Sequence, residues 1–436
     1  MTNYIDKNIM KNNCILFILL LSPTSAMAYL DPGSGSILIY FIIGVFATLV
    51  YSIKNLIFNL KAIFYSFFFN ENFKNSSKKN IVFYSEGSQY WTTFKPIINH
   101  LSYLGIECSY LTSDKSDPGL NYKGQNYEGL HIGNNRFAIM SLNILNAKIL
   151  VTTTPQLEVM HLKRSKYVDY FIHIIHAPID VFKYSPFAFD FFDCVMCSGQ
   201  HQIDHLRIIE KVRNMPHKKL LKTGLIYFDE LIKGKELRLK NSKTTILVAP
   251  TWGVNGLLRK VGFKALKLLL LEGYKVILRP HPQSFISENK LVEEIENECN
   301  AYSEFIIDKT SNAQSSMQHS DILISDASGI IFDFAFIYEK PVIAFNDTLD
   351  EGKLLELFEI NKVQKTKIEI WEVKNKHKVA IEIKTENINQ LPKLVSKTLN
   401  NQSPINLLKF RDESIFNYGF AGETAAKQLQ NLLNKV

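Results

Sequence analysis

The sequence predicts an α/β protein with two successive globular halves, each built on a doubly wound parallel sheet, and an N-terminal transmembrane helix before them. Three observations carry this expectation. Short apolar runs recur between residues 80 and 345, separated by helix-length stretches, which is the alternation that builds βαβ units. A charged break from Lys233 to Lys243 interrupts the pattern before it restarts. From Pro32 to Ile53 no residue is charged, and 37–51 is strongly apolar. At ~1.5 Å per residue such a helix spans a hydrocarbon layer of ~30 Å.

Length and composition set the bounds. The 436 residues, 46% of them apolar, suffice for two ordinary domains plus extras. Fifty basic against 42 acidic residues give a net charge of +8, which suits a phosphorylated substrate or an anionic membrane surface. No Lys/Arg block occurs, so nucleic acid is not an expected partner. The five cysteines are Cys14, Cys108, Cys194, Cys197 and Cys299. Cys194 and Cys197 lack a second pair or a matching histidine spacing for zinc, and they read as buried thiols of a strand. So few cysteines in so long a chain fit a reducing compartment.

The N-terminal 28 residues carry Lys7 and Lys11, an apolar run at 15–21 and Ala26-Met27-Ala28. They read as a signal peptide cleaved after Ala28, or as a first membrane helix. The transmembrane helix is placed at 36–53. Lys54 and Lys61 follow it and mark its cytoplasmic side. Residues 54–79 form a juxtamembrane segment, aromatic and apolar at 56–69, and a polar linker. The expected location is therefore the inner (cytoplasmic) membrane, crossed once after cleavage, with the globular domains in the cytoplasm.

The first globular domain is expected at 80–233. Its strands read as 81–84, 108–112, 130–132, 147–152, 168–175, 194–197 and 220–227, with a helix at 92–104. Ligands of such sheets sit beyond the carboxyl ends of the strands. Glu86, Gly87, Thr152 to Thr154, His176 and Ser198 lie there. His176 closes an apolar strand and precedes Pro178, which keeps the chain extended. An imidazole there can take a proton from a hydroxyl at neutral pH; it can also be a satisfied core histidine, as His173 is expected to be. Lys183 and Tyr184 follow closely and can help hold an anion.

The second domain is expected at 244–400, with strands at 246–249, 275–278, 305–307, 322–325 and 342–345 and a helix at 263–272. Its strand ends are rich in groups that bind anions or move protons. Thr251, Gly253 and Gly256 offer hydroxyl and backbone donors. Arg279 can fork onto a phosphate. His281, fixed between Pro280 and Pro282, can donate to a phosphate oxygen or act as an acid. The stretch Ser320 to Phe345 is a strand, the loop Asp326-Ala327-Ser328-Gly329, a helix carrying Asp333, and a second strand. Small residues allow close approach, and a helix start favours an anion; Ser328 adds a hydroxyl. Taken alone the stretch equally suits an ordinary βαβ unit with a capping side chain. The chain lacks paired metal carboxylates, an Asp-x-Asp and a Walker pattern, which argues against a metal-dependent transferase of the other common architecture and against an NTPase. Residues 365–384 read as a surface strand or two without a role. Amphipathic helices are expected at 391–399 and 424–433, and the terminal segment 405–436 suits a clamp across both halves.

Together, Ala249-Pro250-Thr251-Trp252, Arg279-Pro280-His281-Pro282 and the run Ser325 to Ala335 resemble the CDP-glycerol glycerophosphotransferase family, which includes the teichoic-acid primases and polymerases. The resemblance covers about residues 80–435. It implies two facing Rossmann-like domains, the GT-B arrangement, and transfer of glycerol phosphate or a related polyol phosphate from a CDP-linked donor to a hydroxyl acceptor. That acceptor would belong to a cell-envelope glycopolymer or a lipid-linked precursor. No tightly bound cofactor and no metal are implied. His176 and His281 match the family's two histidine motifs. Thr251, Gly253, Arg279, Asp326, Ser328, Gly329 and Asp333 fall on the donor side, and Glu86, Gly87 and Lys183 on the acceptor side. Three departures stand out: Ala177 replaces the glycine after the first histidine, Gly329 replaces a serine, and the N-terminal anchor with Tyr29-Leu30-Asp31-Pro32-Gly33 looks like a membrane-tethered branch. The same architecture also serves glycosyltransferases and sugar-nucleotide epimerases, and a fold kept as an inactive membrane scaffold is a third reading.

Overall fold

The computed structural model describes residues 44–46, 48–50, 52–53, 77–134, 136–159, 161–235, 243–310, 312–346, 368–400 and 406–435. Among them no helix is long and apolar enough to cross a membrane. The expected leader and most of the expected helix at 36–53 lie outside the described residues; those described between 44 and 53 are helical. Most of the charged break at 233–243 also lies outside them.

The first lobe holds a parallel sheet of β1 (Lys79–Ser85), β2 (Cys108–Thr112), β3 (Tyr127–His131), β4 (Ala147–Thr152), β5 (Val168–Ile174), β6 (Cys194–Cys197) and β7 (Lys219–Lys222). Among the described residues the order is β3-β2-β1-β4-β5-β6-β7. β1 lies inside the sheet, aligning Ile81 with Cys108 on one side and with Ile149 on the other. Its Ile-Val-Phe-Tyr run is buried throughout, as a strand covered on both faces requires. One face packs Phe83, Ile149 and Ile172 against the helix α1 (Trp91–Tyr103), and the other packs Val82, Leu150 and Phe171.

The second lobe repeats the design. β8 (Thr245–Val248), β9 (Lys275–Leu278), β10 (Phe305–Ile307), β11 (Ile322–Ser325), β12 (Val342–Phe345) and β13 (Ile381–Ile383) form a parallel sheet in the order β10-β9-β8-β11-β12-β13. The helix after β8 runs from Leu257 to Leu271 (α2), starting earlier than expected, and bends at Gly262, whose φ of 50° suits glycine. The segment expected as surface strands at 365–384 instead holds a short helix, α3 (Trp371–Asn375), followed by β13, which extends the sheet beside β12. The expected strand at 220–227 is also corrected. β7 ends at Lys222, Gly224 turns the chain at a φ of 100°, and Tyr227 opens a helix, α4 (Tyr227–Lys235).

The C-terminal segment crosses both lobes. The helix Leu407–Ser414 (α5) puts Leu407 and Phe410 into the second-lobe core. The helix Ala421–Leu433 (α6) packs Ala425, Leu429 and Leu432 onto the first. Asp229 of α4 accepts from the N–H groups of Ala421 and Gly422 at 3.3 and 2.8 Å and so caps α6.

Candidate active site

The carboxyl ends of both sheets open onto one cleft of about 1140 Å³. The first lobe contributes Tyr90, His176 and Lys183; the second contributes Thr251, Gly253, His281, Ser328, Gly329 and Asp333; and α4, packed on the second-lobe core, contributes Tyr227.

His176 stands two residues beyond β5, with its ring edge-on to Tyr90 at 5.0 Å between centroids. Burial pushes its pKa down to about 4, so the ring is neutral at pH 7 and holds a lone pair for a proton. His173, three residues earlier, is fully buried among Tyr184, Phe189 and Phe192, and burial holds it down to about 3. It belongs to the core, as expected. His281 is different in kind. It is exposed at the cleft, and loss of water together with the charge of Lys183 lowers its pKa. The Gln283 N–H donates to its Nδ1 at 3.1 Å, so the neutral ring carries its proton on Nε2 and can donate it.

Ser328 and Gly329 head the helical turn Ile330–Asp333, which runs on as a π-helical turn, Phe334–Tyr338. A Cβ on Gly329 would lie 3.1 Å from Ile179 Cγ2 and 3.8 Å from Pro178 Cδ. Gly329 thus stands at a point where the loop after His176 packs on the 326–329 loop of the other lobe.

Several expected ligand contacts are corrected by this geometry. Asp326 is fully buried and does not line the cleft; it accepts from the Thr251 N–H, the Thr251 hydroxyl and the Leu257 N–H, each at 2.9 Å. A carboxylate would repel a phosphate, whereas here it ties the 251–257 loop to β11. Thr251 lines the cleft with its donors already engaged by Asp326. The N–H of Gly253, which has a φ of 94°, goes to Glu288 Oε2 at 3.1 Å. Arg279 is 8% exposed and is not part of the cleft lining. Its guanidinium donates to Asp308 Oδ2 at 2.5 Å and to Thr310 Oγ1 at 3.3 Å. The β9–β10 register pairs Leu278 with Ile307, which makes Arg279 and Asp308 neighbours and diverts the expected phosphate fork into an ion pair. Glu86 and Gly87 also stay out of the lining. Gln89, Tyr90, Thr92 and Thr93, just beyond them, form that wall.

One lining group, Tyr227, escaped the sequence reading of roles. Tyr227, which opens α4 and packs on the second-lobe core, donates to Asp333 Oδ1 at 2.5 Å. Burial raises the Asp333 pKa to about 7, with the Tyr227 bond opposing the rise. Lys183, from the first lobe, donates to the Ala327 carbonyl of the 326–329 loop at 2.8 Å. Among the described residues no cluster of His, Cys, Asp or Glu could hold a metal ion.

Residues 190–358 match the family model described as CDP-glycerol:poly(glycerophosphate) glycerophosphotransferase. A teichoic acid poly(glycerol phosphate) polymerase from Bacillus spizizenii is 31% identical over 205 residues, 44% of this chain and 45% of that protein. The chain thus matches a little under half the length of this curated relative. Among solved structures, the wall teichoic acid polymerase TagF soaked with CDPG has a TM-score of 0.55 at 16% identity, covering 90% of this chain and 98% of the other. A co-structure of S. aureus MnaA with UDP has a TM-score of 0.53 at 12% identity, covering 83% and 98%. At these identities the likeness is one of fold: two parallel-sheet α/β lobes, consistent with GT-B.

Proposed function

We propose that the chain, whose residues 190–358 match the CDP-glycerol glycerophosphotransferase family model, is a member of that family and moves glycerol phosphate or a related polyol phosphate from a CDP-linked donor to a hydroxyl acceptor. The acceptor is a cell-envelope glycopolymer or its lipid-linked precursor. One observation carries the reading: a neutral imidazole from one lobe and an Nε2–H imidazole beside a serine-glycine loop from the other line the same cleft.

His176 takes the proton of the acceptor hydroxyl. The freed oxygen attacks the phosphorus that bears the polyol, and the bond between the two phosphates breaks as CMP leaves. His281 donates from Nε2 to the phosphate oxygens that gain charge, and Lys183 adds a cation. Ser328 and the backbone of Gly329 hold the donor phosphates. Asp326 keeps the Thr251 loop in place for them. The transfer takes place at the inner face of the cytoplasmic membrane, to which the N-terminal segment 36–53 anchors the two domains. The charge-free run from Pro32 to Ile53 and the lysines after it support this location.

Incubating the full chain with CDP-glycerol, other CDP-polyols and UDP-sugars, with release of CMP or UDP measured, tests the reading. CMP release dependent on an added acceptor is expected. Turnover of a UDP-sugar instead would reassign the protein to the glycosyltransferases or epimerases. Absence of nucleotide binding would leave a scaffold.

A further inference from the structure

Among the described residues after β12, 368–375 pack on the first lobe, with Ile368 and Ile370 in its core and Trp371 and Glu372 at Asp180. Asp180, four residues after His176, is fully buried. Its N–H donates to Glu372 Oε2 at 2.9 Å, and its carboxylate accepts from the Trp371 N–H at 2.9 Å, the Phe182 N–H at 3.1 Å and His205 Nδ1 at 2.9 Å. Trp371 is held by stacking on His201, 4.2 Å between centroids at 15°, and by Phe332 at 4.7 Å. Glu372 is 3% exposed. Its second oxygen, Oε1, has no hydrogen-bond partner and faces Lys183 Nζ at 3.4 Å. Lys183 Nζ in turn donates to the Ala327 carbonyl, one residue before Ser328.

We infer that Glu372 is a positioning residue for the transfer: it holds the Lys183 ammonium over the phosphate loop, ready for the donor diphosphate. The inference rests on the proposed nucleotide-diphosphate donor. Glu372 does not line the cleft, so its charge reaches the donor through Lys183. A lysine has a long stem with several rotatable bonds, and an unanchored ammonium loses part of its binding energy to ordering. A buried carboxylate behind it and a carbonyl in front reduce that loss. The arrangement also explains why the chain spends a helix, α3, on a stretch whose sequence shows no motif. Both Lys183 and Glu372 lie outside the region matched by the family model.

A double-mutant cycle tests the inference. Binding of CDP and of CDP-glycerol to the full chain is measured by calorimetry for wild type, Lys183→Met, Glu372→Gln and the double variant, alongside kcat and KM for the donor. A glutamine still accepts from the Asp180 N–H, so that contact survives. Lys183→Met is expected to weaken donor binding about tenfold or more, the scale of one charged hydrogen bond. Glu372→Gln is expected to weaken it severalfold and raise KM more than it lowers kcat. In the Lys183→Met background Glu372→Gln should add nothing, because its effect runs through the lysine. Equal losses in both backgrounds would show a merely structural strap and overturn the inference, as would unchanged binding in Glu372→Gln. Wild type binding neither CDP nor CDP-glycerol would overturn the functional reading and the inference with it. If Glu372→Gln melts below the assay temperature, the whole cycle is run below its melting point and judged by the same criterion.

Discussion

Removing the His176 imidazole is the most direct perturbation of the proposed chemistry. His176→Ala deletes the general base while leaving the second-lobe donor wall, His281, Ser328 and Gly329, in place. Loss of a positioned base lowers kcat by about 10²–10⁴, or about 3–5 kcal/mol of barrier. Donor affinity should stay within about threefold, since the ring meets the acceptor. The pH dependence sharpens the expectation. Burial holds His176 down to about 4, so at pH 5.5 about 97% of the ring is neutral, whereas a solvated histidine of pKa ~6.5 would be about 9% neutral. The wild-type kcat/KM should therefore show no acid limb from His176 between pH 5.5 and 7. Any limb near 7 belongs to Asp333, whose carboxyl is raised to about 7, and should vanish in Asp333→Asn. Initial rates of CMP release across pH 5 to 8, with calorimetric binding of CDP, measure all of this. A His176→Ala enzyme within about threefold of wild-type kcat would refute the base assignment. A limb at 6.5 that disappears with His176 would refute the buried, neutral ring.

Three more outcomes follow from the geometry. Gly329→Ser places a Cβ 3.1 Å from Ile179 Cγ2, below the 3.4 Å of ordinary contact, so the His176 loop must give. We expect kcat/KM to fall about tenfold, with partial recovery in the Ile179→Ala background; wild-type kinetics in Gly329→Ala would contradict the crowding. Tyr227→Phe deletes the hydrogen bond that opposes the rise of the Asp333 pKa, so the limb near 7 should move upward in a pH–rate profile. Stability should fall on acidification. Burial holds His173 to about 3 and His176 and His201 to about 4, so each resists a proton that the unfolded chain accepts near 6.5. Their contribution is complete above about 6.5 and is lost as pH falls towards 4, about 2 kcal/mol each by pH 5. Asp333 acts oppositely: its contribution is present at low pH and lost as pH rises through about 7, so it returns about 2–3 kcal/mol over the same interval. These four groups together lose about 3–4 kcal/mol of stability between pH 7 and 5, opposed by the carboxyls of Asp229, Asp326 and Glu372, which burial also raises; urea melts measure the fall, and a midpoint that rises on acidification would contradict it.

Most of the strand pattern was legible in the sequence because parallel strands buried on both faces show as uninterrupted apolar runs. Residues 108–112, 147–152, 194–197 and 275–278 were read to the residue. The run at 220–227 was over-read, since Leu225, Ile226 and Phe228 continue the apolar pattern past a turn that Gly224 makes. Gly224 was the available signal, and heeding it would have placed Tyr227 at the head of a helix. His176 and His281 could be found because each follows a strand and has prolines beside it, and Ser328 because it sits among small residues between a strand and a helix.

What the sequence determined by itself is local: the periodicity of two α/β lobes, the loops at their strand ends, and the residue types those loops carry. Only the tertiary structure decided how those residues are used. Sheet register set Arg279 against Asp308 and took it out of the cleft. The approach of two loops made Asp326 a support for Thr251, and packing of one lobe on the other left Gly329 little room. Glu372 met Asp180 across 192 residues of chain and came to face Lys183. Propensity and spacing act over a few residues, whereas burial, ion pairing and the state of a proton depend on neighbours that the folded chain brings from far away.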